Sequence, residues 1–172
     1  MRVLDLPLGV VLGTFGVRRH ESTFNGQAAH AGSTQMNRRK DAFIAAAKMS
    51  PEIYRITDRQ GGVCTIGSCL TKPGIVTSVV EECRITLDQR HLEAAALARM
   101  LEEAREASER FAAEGNVPVN WERLWQIEPM PFDEQLLNFS AEALHERAGQ
   151  ATRPPPGLPV SVPTPEPGLG PL

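Results

Sequence analysis

The amino-acid sequence predicts an α+β fold: a two-layer sandwich in which a four-stranded antiparallel sheet carries two helices on one face. Two stretches carry this prediction. Residues 82–90 alternate apolar and polar side chains, as a strand with one covered face does. Residues 91–114 repeat apolar side chains at steps of three and four, as an amphipathic helix does. The predicted order of elements is strand, helix, strand, strand, helix, strand, which is typical of a split βαβ, or ferredoxin-like, domain.

The N-terminal half supplies the first strand and the first helix. Residues 17–24 are rich in charge and end in a turn sequence, so they predict an exposed strand. Alanine-rich sequence predicts a helix over residues 38–49. The Ser50-Pro51-Glu52 sequence is typical of a fresh helix start, so we expect a kink or restart there. That second part should run to about residue 56 and be followed by a loop over residues 58–62.

The middle of the chain predicts further strands. Residues 63–70 are β-branched and small, with Cys64, Ile66 and Leu70 assigned to one face. Residues 75–80 are expected to be extended.

The C-terminal part predicts one more strand and an additional helix. Gly115 is expected to cap the second helix, and residues 117–127 follow as a strand. Asp133 is expected to begin a last helix that runs through Ala148 and has no obvious partner in the sandwich. Residues 150–172 are so rich in proline that they predict a disordered tail.

Composition excludes several classes of function. The formal net charge of −3 gives no basic field, so nucleic acid is not an expected partner. No apolar run approaches the ~20 residues that a membrane-spanning helix needs, so no membrane partner is expected either. Three cysteines without a secretory context predict a reduced, cytoplasmic compartment. Metal binding by them is not expected: they form no CxxC pair, and Cys64 and Cys69 should point to opposite faces of their strand because they are an odd number apart.

One loop stands out as a candidate site. Residues 26–34 surround His30 with glycine, alanine and other small side chains, so that a ligand or a second backbone could approach closely. Taken alone, this histidine is read as a structural loop residue in preference to a functional one. His20, His91 and His145 have no spacing that would make a metal site, and they are expected to be solvated or capping residues.

Several spaced motifs together resemble the dinuclear-metal amidohydrolases. The closest subgroup comprises N-carbamoyl-L-amino-acid hydrolases, allantoate amidohydrolases and β-ureidopropionases. The resemblance covers about residues 5 to 145. The motifs are Leu6-Pro7-Leu8-Gly9-Val10-Val11, Gly26-Gln27-Ala28-Ala29-His30-Ala31-Gly32-Ser33-Thr34, Arg39-Lys40-Asp41-Ala42, Pro73-Gly74-Ile75-Val76-Thr77-Ser78-Val79 and Leu87-Asp88-Gln89-Arg90-His91.

This resemblance implies that the sandwich is the family's inserted lid, or dimerisation, domain. It then assigns residues 1–15 to the end of a catalytic-domain segment and its linker, residues 16–128 to the lid, and residues 129–149 to a helix that returns to the catalytic domain. Residues 150–172 remain the tail. The lid sheet is expected to form a homodimer.

The resemblance also assigns site residues. His30 would reach into the partner's active site and stabilise a developing oxyanion, a contribution on the order of 3 kcal/mol to the barrier. Arg90 would bind the substrate carboxylate, as a guanidinium is suited to do. Thr77 stands where the family usually has an asparagine that binds the same carboxylate, and its hydroxyl can donate only once. Gln27 is also assigned to substrate binding. The alternative for Arg90 is a surface arginine paired with Asp88.

The implied cofactors are two divalent metals, zinc or manganese, in the intact family enzyme and none in this chain. The family's metal ligands belong to motifs on both sides of the lid, and this sequence does not contain them. We therefore expect a lid fragment of a hydrolase of linear amides, with an N-carbamoyl or ureido amino acid as substrate of the intact enzyme and no catalysis by this chain alone. A truncated or shifted reading frame after about Gln150 would explain the tail. The alternative is an inactive stand-alone dimerisation or binding module.

Overall fold

The computed structural model describes residues 10–148. The elements along the chain are β1 (Gly13–Thr14), β2 (Gly16–Asn25), β3 (Ala29–His30), a 3-10 turn (Met36–Arg38), α1 (Ala42–Gln60), β4 (Val63–Lys72), β5 (Ser78–Val79), β6 (Glu82–His91), α2 (Ala94–Gly115), β7 (Val119–Ile127), β8 (Met130–Pro131) and α3 (Glu134–Ala148).

Four of the strands form one antiparallel sheet in the order β4-β6-β2-β7. Helices α1 and α2 lie against each other and cover one face of this sheet. The structure therefore confirms the predicted two-layer split βαβ fold. Two short pairs, β1 with β8 and β3 with β5, lie outside the main sheet.

The core lies between the sheet and the two helices. Phe24, Ile85 and Leu87 point from the sheet into this layer, and Met49 and Ile53 of α1 pack against them. The predicted alternation in β6 is confirmed, because its odd-numbered residues from Cys83 to Leu87 are buried and the intervening ones are not.

Strand β2 is a central strand, so the expectation of an exposed strand was wrong. It pairs with β6 on one side and with β7 on the other. His20, Ser22 and Phe24 are buried on the helix-covered face, while Arg19 and Glu21 project to the open face. Arg18 also points inward, where its guanidinium donates to the Ile127 carbonyl at 3.1 Å and to Glu128 at 2.8 Å. The charged composition of β2 concealed its central position. The strand can hold these charges because Arg18 is paired with Glu128 and Arg19 with Asp88.

Helix α1 is continuous across Pro51, so neither the predicted restart nor the start at residue 38 is correct. The helix begins after Asp41, whose carboxylate accepts from the backbone N–H groups of Phe43 (3.0 Å) and Ile44 (3.3 Å). It ends only at Gly61, in a left-handed conformation with φ 72°. Because α1 buries one apolar stripe along both halves, core packing outweighs the hydrogen bond that Pro51 cannot make.

A β-bulge in β4 corrects two assignments of side-chain direction. The register against β6 shifts between Ile66 and Ser68, which inserts one extra residue at Gly67. Cys64 and Cys69 therefore point to the same, helix-covered face, although their spacing predicted opposite faces. Leu70 lies opposite Arg84 on the open face and is 58% exposed.

The remaining boundaries differ by a few residues. His91 ends β6, and α2 begins at Ala94. The left-handed cap of α2 is Asn116 (φ 48°), whereas Gly115 is the last helical residue. Of the predicted extended stretch 75–80, only Ser78–Val79 forms a strand.

Helix α3 begins as predicted, with Asp133 accepting from the N–H groups of Gln135 and Leu136. Leu136 and Phe139 remain about two-thirds exposed, at 64% and 65%. The predicted disordered tail lies outside the described residues, as do residues 1–9. Among residues 10–148, no helix is long and apolar enough to cross a membrane.

Candidate functional site

The loop that carries His30 is held against the segment between β4 and β6. His30 pairs with Ser78 in the short β3–β5 ladder, and the Ala31 N–H donates to the Thr77 carbonyl at 2.9 Å. At the start of the loop, the Gly26 N–H donates to the Glu81 carbonyl at 2.6 Å. Backbone hydrogen bonds therefore fix both ends of a loop made of small residues.

The His30 ring has a defined orientation. Its Nδ1 accepts hydrogen bonds from the backbone N–H groups of Gly32 (3.1 Å) and Ser33 (3.2 Å). In the neutral ring this places the proton on Nε2, so the free edge of an exposed imidazole is a hydrogen-bond donor. Gly32 leaves room for this ring, because a Cβ on Gly32 would lie 3.2 Å from it and the ring would have to shift slightly.

Arg39 holds the loop from the other side, and the sequence reasoning gave it no role. Its guanidinium donates to the Ala31 carbonyl at 2.6 Å and to the Thr34 carbonyl at 3.1 Å. Its presence in a motif next to the loop was the only available signal. Gly26 is constrained more tightly than Gly32, since a Cβ on Gly26 would clash with the Lys40 carbonyl oxygen.

Thr77 and Gln27 lie with the His30 loop, whereas the resemblance placed Thr77 with Arg90 on one substrate carboxylate. Both are exposed, so their side chains are available to a ligand. Their backbones have structural roles: the Thr77 carbonyl accepts from Ala31, and the Gln27 N–H donates to the Lys40 carbonyl at 2.8 Å.

Arg90 lies on the open face of the sheet in a small cluster of charges. Its Nε donates to the Asp88 carboxylate at 2.7 Å, and Arg19 donates to the same carboxylate at 2.6 Å. Arg19 also lies over the Trp125 ring, 5.2 Å from its centre. The ion pair of the alternative interpretation is thus present, with a second arginine that the sequence reasoning missed.

The electrostatics of this cluster follow from its composition. Burial raises the pKa of Asp88, but the hydrogen bonds from Arg90 and Arg19 outweigh burial and hold that pKa below its usual range. Asp88 is therefore ionised at neutral pH. Two guanidinium groups share this one carboxylate, so the three side chains together keep one positive charge.

The structure does not bring His30 and Arg90 together within one chain. Asn25 pairs with Glu82, so the His30 loop leaves the sheet at the start of β6, whereas Arg90 lies near the end of that strand. Glu82 and Arg90 are eight positions apart on the extended strand, roughly 27 Å. His30, Thr77 and Gln27 form one group, and Arg90, Asp88 and Arg19 form another.

Residues 10–148 contain no group of three or more histidine, cysteine, aspartate or glutamate side chains that could hold a metal ion. The two divalent metals of the resembled family therefore do not fit this part of the chain. The shallow cavity beside Arg90, lined by Val63, Cys64, Thr65, Asp88 and Arg90, contains a single carboxylate.

Comparison with known proteins supports the sequence resemblance. The chain is 34% identical over 133 residues to an N-carbamoyl-L-amino acid amidohydrolase of Geobacillus stearothermophilus, an alignment that covers 75% of this chain and 32% of that protein. It is 28% identical to an allantoate amidohydrolase of Escherichia coli (strain K12), covering 76% and 32%. No protein-family model matches the chain.

Solved structures give the same correspondence. A hydantoinase/carbamoylase family amidase from Burkholderia ambifaria superposes with a TM-score of 0.85 at 30% identity, over 91% of this chain and 39% of that one. This chain spans about a third of the length of the curated relatives that it matches. Over most of its own length it is similar to one segment of these amidohydrolases.

Proposed function

We propose that this chain, which is similar in sequence and fold to one segment of the N-carbamoyl-L-amino-acid amidohydrolases, is the substrate-contacting lid of a hydrolase of carbon–nitrogen bonds in linear amides. The substrate would be an N-carbamoyl or ureido amino acid. The observation that carries the proposal is the orientation of His30, whose two backbone hydrogen bonds at Nδ1 leave Nε2–H as an exposed, directed donor.

His30 would donate to the oxygen on which negative charge develops when the amide carbonyl is attacked. A donor that is already oriented stabilises such charge without reorganisation at the moment of reaction. The hydrogen bonds from Arg39 to two loop carbonyls and the β3–β5 pairing of His30 with Ser78 hold the loop in that orientation. Thr77 and Gln27, exposed beside the ring, would contact the same ligand.

Arg90 would bind the substrate carboxylate. The charge excess in its cluster with Arg19 and Asp88 supports this role, because a substrate carboxylate would neutralise it. Arg19 is held over Trp125 and against Asp88, so Arg90 can turn to a ligand while Asp88 stays paired. Thr77 stands where the family has an amide, but it lies with the His30 loop at the other end of β6. It would offer its single hydroxyl donor there.

The separation of the two groups supports a dimer. A small amino-acid derivative cannot span the length of β6, which separates Arg90 from the end of the sheet where the His30 loop lies, so His30 of one protomer would act at a site completed by another chain. Strands β4 and β7 are the outer strands of the main sheet, and either edge could pair across the interface. The metals and the general base would come from a segment outside residues 10–148.

A chimera tests this proposal. Residues 13–131 would replace the aligned segment of the Geobacillus stearothermophilus amidohydrolase, and hydrolysis of an N-carbamoyl-L-amino acid would be measured. We expect an active chimera in which His30→Ala lowers kcat by about 100- to 1,000-fold. Arg90→Ala should mainly raise KM, because carboxylate binding is lost.

Two matched variants serve as controls. Arg84→Ala removes another arginine from the open face of β6, one that pairs with Glu82 and Glu21. Ser33→Ala keeps the backbone N–H that orients His30. Both should leave kcat and KM near the chimera's values. A folded, metal-loaded chimera without activity, or one unaffected by His30→Ala, would overturn the assigned roles.

A stand-alone dimerisation module is the second candidate, because the sheet and its two helices bury a core of their own and leave β4 and β7 as open edges. This interpretation predicts a stable dimer of the purified chain whose formation does not respond to N-carbamoyl amino acids. Light scattering and calorimetry with such a ligand distinguish the two candidates.

A further inference from the structure

We propose that Cys69 and Cys83 form a reversible redox pair, a site of disulfide formation between the edge strand β4 and its neighbour β6. Their sulfur atoms lie 3.7 Å apart across the two strands. The pairing is possible only because of the bulge at Gly67, which turns Cys69 to the face on which Cys83 lies. This redox pair does not depend on the proposed function.

The two thiols differ in access. Cys69 is exposed, whereas Cys83 is fully buried in the core behind it. An oxidant in solution therefore meets Cys69 first, and Cys83 is placed to react with whatever forms there. Burial, and next the Cys69 thiol, raise the pKa of Cys83 to about 12, so Cys83 is protonated at neutral pH.

The third cysteine cannot take part in the same bond. Cys64 lies opposite Gln89 and Cys69 opposite Ile85, so the two are separated by roughly 15 Å along β4. A disulfide needs the two sulfurs at ~2.0 Å, an approach that Cys64 could not make without unpairing the strand. Two sulfurs alone, without a third ligand in the described part of the chain, also do not make a metal site.

Hydrogen peroxide is the oxidant that completes the chemistry. The Cys69 thiolate attacks one peroxide oxygen, the O–O bond breaks, and Cys69 becomes a sulfenic acid as hydroxide leaves and is protonated to water. The Cys83 sulfur then attacks the Cys69 sulfur and the S–O bond breaks. The departing hydroxide takes the Cys83 proton as a second water. Two thiols are oxidised to one disulfide, and one peroxide is reduced to two waters.

The bond would be strained and therefore easily reduced. Cys69 is opposite Ile85 and Cys83 is opposite Thr71, so the two residues are diagonal neighbours rather than a direct pair. Diagonal positions are wider apart than the geometry of a relaxed disulfide. Because β4 is an edge strand with a bulge, it can move toward β6. Such strained bonds are the labile, reversible ones.

Peptide mapping of the full-length chain tests the proposal. The purified protein is treated with peroxide, alkylated under denaturing conditions and digested with a protease that cuts after Glu81 and Glu82, which separates Cys83 from the other two cysteines. We expect a loss of two hydrogens from the intact monomer, alkylation at Cys64 alone, and the Cys69 and Cys83 peptides joined until dithiothreitol releases them.

Three variants sharpen the result. Cys69→Ser and Cys83→Ala should each abolish the joined peptides, and Cys64→Ser should retain them. Since Cys83 is buried, Cys83→Ala is first checked for folding by circular dichroism. If that variant does not fold, Cys69→Ser alone tests the proposal. Recovery of Cys69 as sulfinic acid with Cys83 free, a bond that includes Cys64, or disulfide-linked dimers instead of the internal bond would each overturn the proposal.

Discussion

His20 shows how a residue that looked solvated becomes part of the core. It is 1% exposed on the helix-covered face of β2, with its ring 5.8 Å from that of Trp121 in an edge-on arrangement. Within the described part of the chain its Nδ1 has no hydrogen-bond partner. Burial, followed by the nearby charges of Arg105, Arg123 and Arg18, lowers its pKa to about 4.

This buried histidine predicts a pH-dependent stability. Between pH 6.5 and about 4 the unfolded chain binds a proton at His20 and the folded chain does not, so the free energy of unfolding falls as the pH falls through this window. The full effect is roughly 3 kcal/mol. Urea denaturation at a series of pH values, followed by tryptophan fluorescence, measures it.

The control is His20→Phe, which keeps a ring against Trp121 but cannot titrate. Its stability should change much less between pH 6.5 and 4.5 than that of the natural chain. An equal slope in both proteins would mean that His20 is not the titrating group.

At the scale of elements, the starts of the two helices are built differently. Helix α1 has a side-chain cap in Asp41, whereas the residue before α2, Glu93, makes no side-chain cap hydrogen bond. Instead, the His91 ring accepts from the Glu93 N–H at 2.8 Å, which confirms a capping role for this histidine. The cap of α1 also lies next to the His30 loop, since the Gln27 N–H donates to the Lys40 carbonyl at 2.8 Å.

Removal of the α1 cap should therefore cost stability. We expect Asp41→Ala to lower the free energy of unfolding by about 1 kcal/mol, because two N–H groups lose their acceptor. Asp41→Asn keeps an acceptor oxygen and should cost less. Glu93→Ala is the matched control and should have little effect. Equal losses in the Asp41→Ala and Glu93→Ala variants, measured by urea denaturation, would contradict the capping assignment.

At the scale of the whole molecule, the chain has a complete small core but open edges. The sheet and its two helices bury their own apolar residues, and residues 10–148 contain no group of side chains that could hold a metal ion. The outer strands β4 and β7 and the exposed side of α3 leave surface for other chains or segments. Folding of this segment should therefore be independent of metal, whatever the proposed hydrolase requires for activity.

We expect the Tm of the purified chain to be unchanged by EDTA or by added zinc or manganese. An ion that bound the native state would raise the Tm, and residues 10–148 contain no group of side chains to bind one. Sedimentation should give a dimer at twice the 18.8 kDa chain mass in both conditions. A Tm that rises by several degrees with metal would reveal a site, and a monomer would argue against the proposed dimer.

The sequence by itself determined the order of elements and the two-layer class, because β6 and α2 carry clear periods of two and 3.6 that only one face of a layer can satisfy. It also contained the motifs that relate the chain to one segment of the amidohydrolases. The assigned roles of His30, Arg90, Thr77 and Gln27, the lid boundaries and the dimer remain predictions.

Only the tertiary structure decided which charges are buried and which side chains meet. Local composition cannot reveal that β2 lies between two strands, that Pro51 is carried within α1, or that a bulge turns Cys69 toward Cys83. The direction of the His30 Nε2–H donor was also hidden. It depends on the backbone N–H groups of Gly32 and Ser33, which the folded loop brings to Nδ1. Each of these features depends on contacts between segments distant in sequence, on the register of paired strands or on the folded shape of a loop, and all three form only on folding. The periodicity of apolar residues is already present in the unfolded chain.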